Sequence, residues 1–196
     1  LRMGLVFRAY DEGCAFRYFI PEQPSFAGFQ LMEELTEWRF ADDPTCWATL
    51  YPDHVNSQEK TYDRMKLSAL PKNRLAGMPL LVRTGGQTVA LAEACLVNWA
   101  GFFFRHRGEG VLRTELSPLP DSPASTPHVA VIRTTPAEGP WRVTMCGDDE
   151  LDREVSRRIQ AASRLQRLSV ARPQGGTRTR RPGFAREVPP RLGRDD

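Results

Sequence analysis

The sequence predicts an all-β protein, an antiparallel β-sandwich followed by a basic tail that is disordered or partly helical. Short runs of aromatic and β-branched residues recur between Leu5 and Met145, Gly- and Pro-rich turns separate them, and a 3.6-residue hydrophobic period is almost absent before Gly147. Together these point to antiparallel strands joined by tight connections. The 196 residues are enough for one domain with a real core.

The first element is a hairpin. Leu5–Tyr10 leads into Asp11-Glu12-Gly13, and Ala15–Ile20 leads out, with Phe16, Tyr18 and Ile20 on one face and Arg17 on the other. Pro21 and Pro24 close the second arm. Residues 29–40 alternate again and read as further strands, with a short helix over Leu31–Trp38 as the alternative. Residues 41–75 are turn-rich. A second hairpin follows: Pro79–Arg83 and Gln87–Leu91 flank Gly85-Gly86, which supply the positive φ a two-residue turn needs. Val129–Arg133 and Trp141–Met145 complete the set of strands.

No run approaches the ~20 apolar residues that span a bilayer, so an integral helical membrane protein is excluded. The chain opens at Leu1 without the charged-then-apolar pattern of a secretory leader and reads as a piece of something longer. Its net charge of +3 is uneven: residues 151–196 hold twelve Arg, no Lys and five acids, a net of +7, which leaves −4 for residues 1–150. Leu151, Val155, Ile159, Leu165 and Leu168 sit near helical spacing, and from Arg172 Gly, Pro and Arg take over in a composition that cannot bury enough apolar surface to order itself. A nucleic-acid role would rest on this tail alone, and aromatic interleaving is missing there, with Phe184 the only aromatic residue after Trp141. Cys14, Cys46, Cys95 and Cys146 form no CxxC and read as small buried hydrophobes rather than disulfides. Phosphate loops, GxSxG and HExxH are absent.

Glu93 is the most informative position. It is the only charged residue in Thr88–Val97, a run apolar on both faces and so expected to be a central strand. Period two places it with Val89, Leu91, Cys95 and Val97. A carboxylate there needs a metal, a cation or hydrogen-bond donors, or it takes up a proton. It is either a metal ligand or site carboxylate at a strand end, or a glutamate that emerges at a sheet edge or pairs with an arginine. The Glu33, Glu34 and Glu37 cluster and the Asp42-Asp43 turn read as solvated, and Trp38, Trp47, Trp99 and Trp141 either stack on sugars or fill the core.

Three strings carry a family resemblance. Phe7-Arg8-Ala9-Tyr10-Asp11-Glu12-Gly13-Cys14-Ala15-Phe16-Arg17-Tyr18 resembles the FRAY-DxG-VAFRY hairpin of glycoside hydrolase family 97. Leu91-Ala92-Glu93-Ala94-Cys95-Leu96-Val97-Asn98-Trp99-Ala100-Gly101 is similar to that family's TEADLxDYPG segment, and Pro140–Asp148 to its SPWRVIMIGD strand. The resemblance implies that residues 1–148 are part of an N-terminal β-super-sandwich, here incomplete, with the tail at 149–196. It implies an α-glucosidase or α-galactosidase family acting on carbohydrate with calcium, whose acid and base carboxylates lie on a (β/α)8 barrel absent from this chain. It further implies that Glu93 is the calcium ligand the N-terminal domain lends, so that no residue of this chain is itself the acid or base. Family members are commonly periplasmic or extracellular. Cys95 and Asn98 stand where the family prefers Asp, and Cys14 and Cys146 replace aliphatic residues. After Asp148 the family continues PGDLVESN while this chain gives Asp149-Glu150-Leu151-Asp152-Arg153, as a frameshift would produce. A stand-alone carbohydrate-binding module and a nucleic-acid binder are the alternative classes.

Overall fold

A computed structural model describes residues 1–120 and 128–147. The basic tail, expected to be disordered or partly helical, lies outside the described residues. Fifteen strands run in chain order: β1 Gly4–Tyr10, β2 Gly13–Ile20, β3 Gly28–Leu31, β4 Glu37–Arg39, β5 Thr45–Ala48, β6 Leu50–Tyr51, β7 Asp63–Lys66, β8 Leu75–Ala76, β9 Leu80–Thr84, β10 Gln87–Ala94, β11 Phe102–Gly108, β12 Val111–Leu116, β13 Val131–Thr134, β14 Ala137–Glu138 and β15 Trp141–Gly147. The only helical turn among the described residues is a 3-10 turn over Leu67–Ala69. The all-β expectation holds.

Every pairing is antiparallel. The large sheet runs β1-β2-β15-β10-β9-β5-β7, with β14 also on β2, and the second runs β4-β12-β11-β8-β6; β13 and β3 form a separate ribbon. Both predicted hairpins form. The β1–β2 register brings Phe7 opposite Phe16 and Tyr10 opposite Gly13. A side chain at Gly13 would place its Cβ 2.1 Å from the Thr144 carbonyl oxygen, so only glycine lets β2 lie this close to β15. At the β9–β10 turn Gly85 and Gly86 take φ of +59° and +78°, the conformation the two-residue loop demands.

Between the sheets lies one main core. Leu80, Val82 and Leu91 from the large sheet meet Phe102, Phe104, Leu112 and Leu116 from the second. Each such side chain, fully withdrawn from water, contributes about 1.5–3 kcal/mol. Trp38 stacks on Phe102 at 5.8 Å and meets the edge of Phe104 at 5.1 Å.

The reading of residues 29–40 as further strands holds in β3 and β4, each taken up by sheet pairing, and the alternative helix over 31–38 does not form. Two expectations need correction. The turn-rich stretch 41–75 contains β5, β6, β7 and the start of β8, short strands held in place by pairing with one another and with β9 and β11 rather than by their own pattern. The run Thr88–Val97 is not one strand, because β10 stops at Ala94 and Cys95 turns to φ +59°.

Candidate functional site

Glu93 sits one residue before the end of β10, directly opposite Arg142 of β15. The strand is central, flanked by β9 and β15, as its two apolar faces require. Arg142 is 1% exposed, and its guanidinium is shared by two carboxylates. Nη1 donates to Glu93 Oε2 at 2.9 Å. Nε donates to Glu34 Oε1 at 2.8 Å, and Nη2 donates to Glu34 Oε2. The face of the guanidinium lies 4.5 Å from the centre of the Phe102 ring. Glu34 is itself fixed: the Thr36 hydroxyl donates to its Oε1 at 2.7 Å, so the Tyr18 hydroxyl, 2.8 Å from Thr36 Oγ1, must be the donor in that contact.

The alternative in which Glu93 pairs with an arginine is therefore what the fold builds. Pairing occupies Oε2 and leaves the Oε1 side beside Gly101, where an added Cβ would come within 3.3 Å of that oxygen. The Glu93 side chain is 11% exposed and lines a cavity of about 340 Å3 together with Leu96, Gly101, Phe102, Tyr51 and Tyr62. Burial raises its carboxyl above the usual range, against the pull of Arg142 and of the Phe102 N–H; the nearby charge of Glu34 adds to the rise.

Such a group suits a hard cation in donor type. In donor number the chain falls short: calcium takes ~6–8 oxygens, and no group of three or more His, Cys, Asp or Glu gathers among the described residues. At this point the described residues offer one carboxylate, and the other oxygens would have to come from outside them.

The remaining candidates separate from this centre. Glu34, expected on a solvated face, is 8% exposed and belongs to the Arg142 cluster. Glu37 instead faces Arg113 and Arg39, and Asp43 accepts from the Ser68 N–H and hydroxyl. None of the tryptophans forms an exposed sugar platform. Trp38 packs against the core, Trp47 lies under Arg64, Trp99 packs against Phe29, and Trp141 is approached by the guanidiniums of Arg8 and Arg17 at 4.5 and 4.6 Å. All four cysteines are free, but only Cys46 is buried, its thiol pushed up to about 11 by burial. Cys14, at the start of β2 beside its turn, and Cys95, in the turn after β10, are exposed. Sequence reasoning missed Arg142, although it is a charge inside an apolar strand just as Glu93 is.

The chain is thus an antiparallel two-sheet sandwich with the Glu93 carboxylate held by a buried arginine at the end of a central strand. The family model that matches is that of the glycosyl-hydrolase 97 N-terminal domain, over residues 2–152, and the chain belongs to that family. It is 27% identical over 194 residues to a retaining alpha-galactosidase of Bacteroides thetaiotaomicron, covering 85% of this chain and 29% of that protein. A glycoside hydrolase family 97 enzyme from Pseudoalteromonas sp. strain K8, solved in complex with acarbose, superposes with a TM-score of 0.65 and 26% identity over 74% of this chain and 21% of that one. A beta-arabinopyranosidase superposes with a TM-score of 0.62 and 26% identity, over 74% of this chain and 25% of that one. The chain thus spans less than a third of the length of each of these relatives. No helix among the described residues is long and apolar enough to cross a membrane.

Proposed function

We propose that this chain is the N-terminal sandwich of a calcium-dependent α-glycosidase and that Glu93 is the ligand it lends to the calcium site. The whole enzyme would hydrolyse α-glucosidic or α-galactosidic bonds, with its acid and base carboxylates on a catalytic barrel not contained in these 196 residues. Its place of action would be the periplasm or the cell exterior, as the family resemblance implies. The observation that carries this reading is the geometry of Glu93: a carboxylate at the end of a central strand, held by Arg142 through one oxygen and lining a cavity.

Calcium's chemistry there would be that of a hard Lewis acid and template for a sugar oxygen. The part played by this chain is narrower. Glu93 supplies one anionic oxygen donor, and Arg142 keeps the carboxylate from turning back into the core. Relatives named for α-galactosidase and arabinopyranosidase activity support a pyranoside substrate for the whole protein.

The test is direct. The purified chain, with calcium present, should show no turnover of aryl α-glucosides or aryl α-galactosides, and should bind calcium only weakly by calorimetry. Calcium-dependent turnover by the chain alone overturns the lending role. So does tight calcium binding that Glu93→Gln abolishes, because a self-sufficient site needs no partner domain.

A further inference from the structure

We infer that Arg142 and Glu34 are positioning residues that clamp Glu93 by its Oε2 side and thereby present its Oε1 side to the cavity. This rests on the reading of Glu93 as a cation ligand. Three bonds leave the one guanidinium, and their division is unequal. Glu34 takes Nε and Nη2 in a fork that matches both of its oxygens, while Glu93 receives Nη1 alone. Only a planar guanidinium does this; the ammonium of a lysine is a point charge and cannot hold two carboxylates in fixed directions. Phe102 closes one face of the fork at 4.5 Å.

The anchor end is rigid. Glu34 is tied through Thr36 to the Tyr18 hydroxyl on β2, and its backbone carbonyl accepts from Thr114 Oγ1 on β12. Order therefore passes from both sheets into Glu34, from Glu34 into Arg142, and from Arg142 into Glu93. Charge follows the same asymmetry. Two carboxylates face one cation, and the doubly bonded Glu34 takes the larger share of it, so the uncompensated charge rests at the Glu93 end. Glu93 lines the cavity of about 340 Å3, while Glu34 lines a separate one of about 330 Å3 with His54 and His128. Arg142 thus links the walls of two cavities, and the carboxylate on the first is held by one guanidinium bond and the Phe102 N–H.

Nuclear magnetic resonance on the 196-residue chain labelled with 13C-glutamate tests the clamp without any metal. The Glu93 carboxyl signal is assigned by its disappearance in Glu93→Gln. Wild-type Glu93 should hold one side-chain rotamer by three-bond couplings. In Arg142→Lys it should average over several while the amide signals of β10 and β15 persist. A single rotamer retained in Arg142→Lys overturns the clamp. Should that variant fail to fold, Glu34→Gln keeps the shape, removes the anchoring charge and should give the same averaging; a fixed Glu93 there overturns the proposal equally. Titration with lanthanum, a trivalent oxygen-seeking probe, separates the underlying reading. The wild-type Glu93 carboxyl signal should shift to saturation, with affinity at least about tenfold lower in Arg142→Lys, as loss of a ligand's supporting contact typically costs. No shift in the wild type overturns Glu93 as a ligand and leaves the clamp to be decided by the couplings; an unchanged affinity in Arg142→Lys overturns the clamp's role in presenting the ligand.

Discussion

Arg142 is the residue on which the buried electrostatics converge, and its removal has consequences that differ by replacement. Arg142→Met would leave the Glu34 carboxyl at 8% exposure with no cation, and Glu93 beside it without its arginine. Breaking a buried pair from one side costs about 3–5 kcal/mol, because the surviving charge is stranded. Replacing both partners by apolar groups of similar size is often neutral. Denaturant unfolding should therefore show Arg142→Met destabilised by about that amount and Arg142→Met/Glu34→Met recovering part of it, because Glu93 still lacks its cation. A double variant no better than the single one would mean that Arg142 matters through its stacking on Phe102 rather than through its charge. Gly101 makes the same centre sensitive to volume. Gly101→Ala brings a methyl to 3.3 Å from Glu93 Oε1, so Glu93 must yield by a few tenths of an ångström or lose its approach to the cavity.

At the scale of elements, the two margins of the large sheet are built differently. β7 ends it with Asp63, Arg64 and Lys66, charges that discourage a further strand from adding on. β1 ends it with apolar side chains open on both faces, Leu5 at 50%, Phe7 at 68% and Val6 at 37% exposed, and it has no neighbour on its outer side among the described residues. Such an edge templates pairing with another chain. The wild-type chain should self-associate at tens of micromolar in sedimentation, roughly the range where exposed strand edges aggregate, and Phe7→Lys should reduce this with little change in unfolding midpoint. Unaltered association in Phe7→Lys would place the sticky surface elsewhere.

Strands with a strong local pattern and a glycine turn, β1–β2 and β9–β10, were legible because turn geometry and alternation agree. β5, β6 and β8 are two to four residues long, and their pairing is decided by partners elsewhere in the chain, which no local window contains. The β11–β12 hairpin escaped although Phe102-Phe103-Phe104 and the glycines at 108 and 110 mark it. Of the candidate site, Glu93 was legible as a lone charge in an apolar strand. Its partner would have followed from pairing it with the other such charge, Arg142. Glu34 was not legible, because its burial depends on the segment between β3 and β4 folding inward.

For the molecule as a whole, stability should depend on pH through carboxylates that pull in opposite directions. The Arg113 hydrogen bond lowers Glu37 from 4.5, the Ser68 N–H lowers Asp43 from 3.8, and at Glu115 burial pushes up but is outweighed by the bonds and charge of Arg105. A group whose folded value is depressed contributes stability that is present above its unfolded value and lost as pH falls through the folded one. These three therefore make the protein labile in acid, below about 4. Glu93 has the opposite sign. Its folded value is raised above 4.5, so the folded chain holds that proton more tightly than the unfolded one, and its contribution declines as pH climbs from 4.5 through the raised value. Glu93→Gln removes that decline and keeps the others. Unfolding free energies measured from pH 3 to 8 should show the same acid limb in both proteins, with the variant gaining on wild type above pH 4.5 and the difference levelling off once Glu93 is ionised. A bound cation at Glu93 would favour the ionised form, so calcium at millimolar concentration should shrink that difference. A difference between the two proteins that is flat across the whole range would mean that Arg142 cancels the effect of burial on Glu93, and that no uncompensated charge waits at the cavity wall.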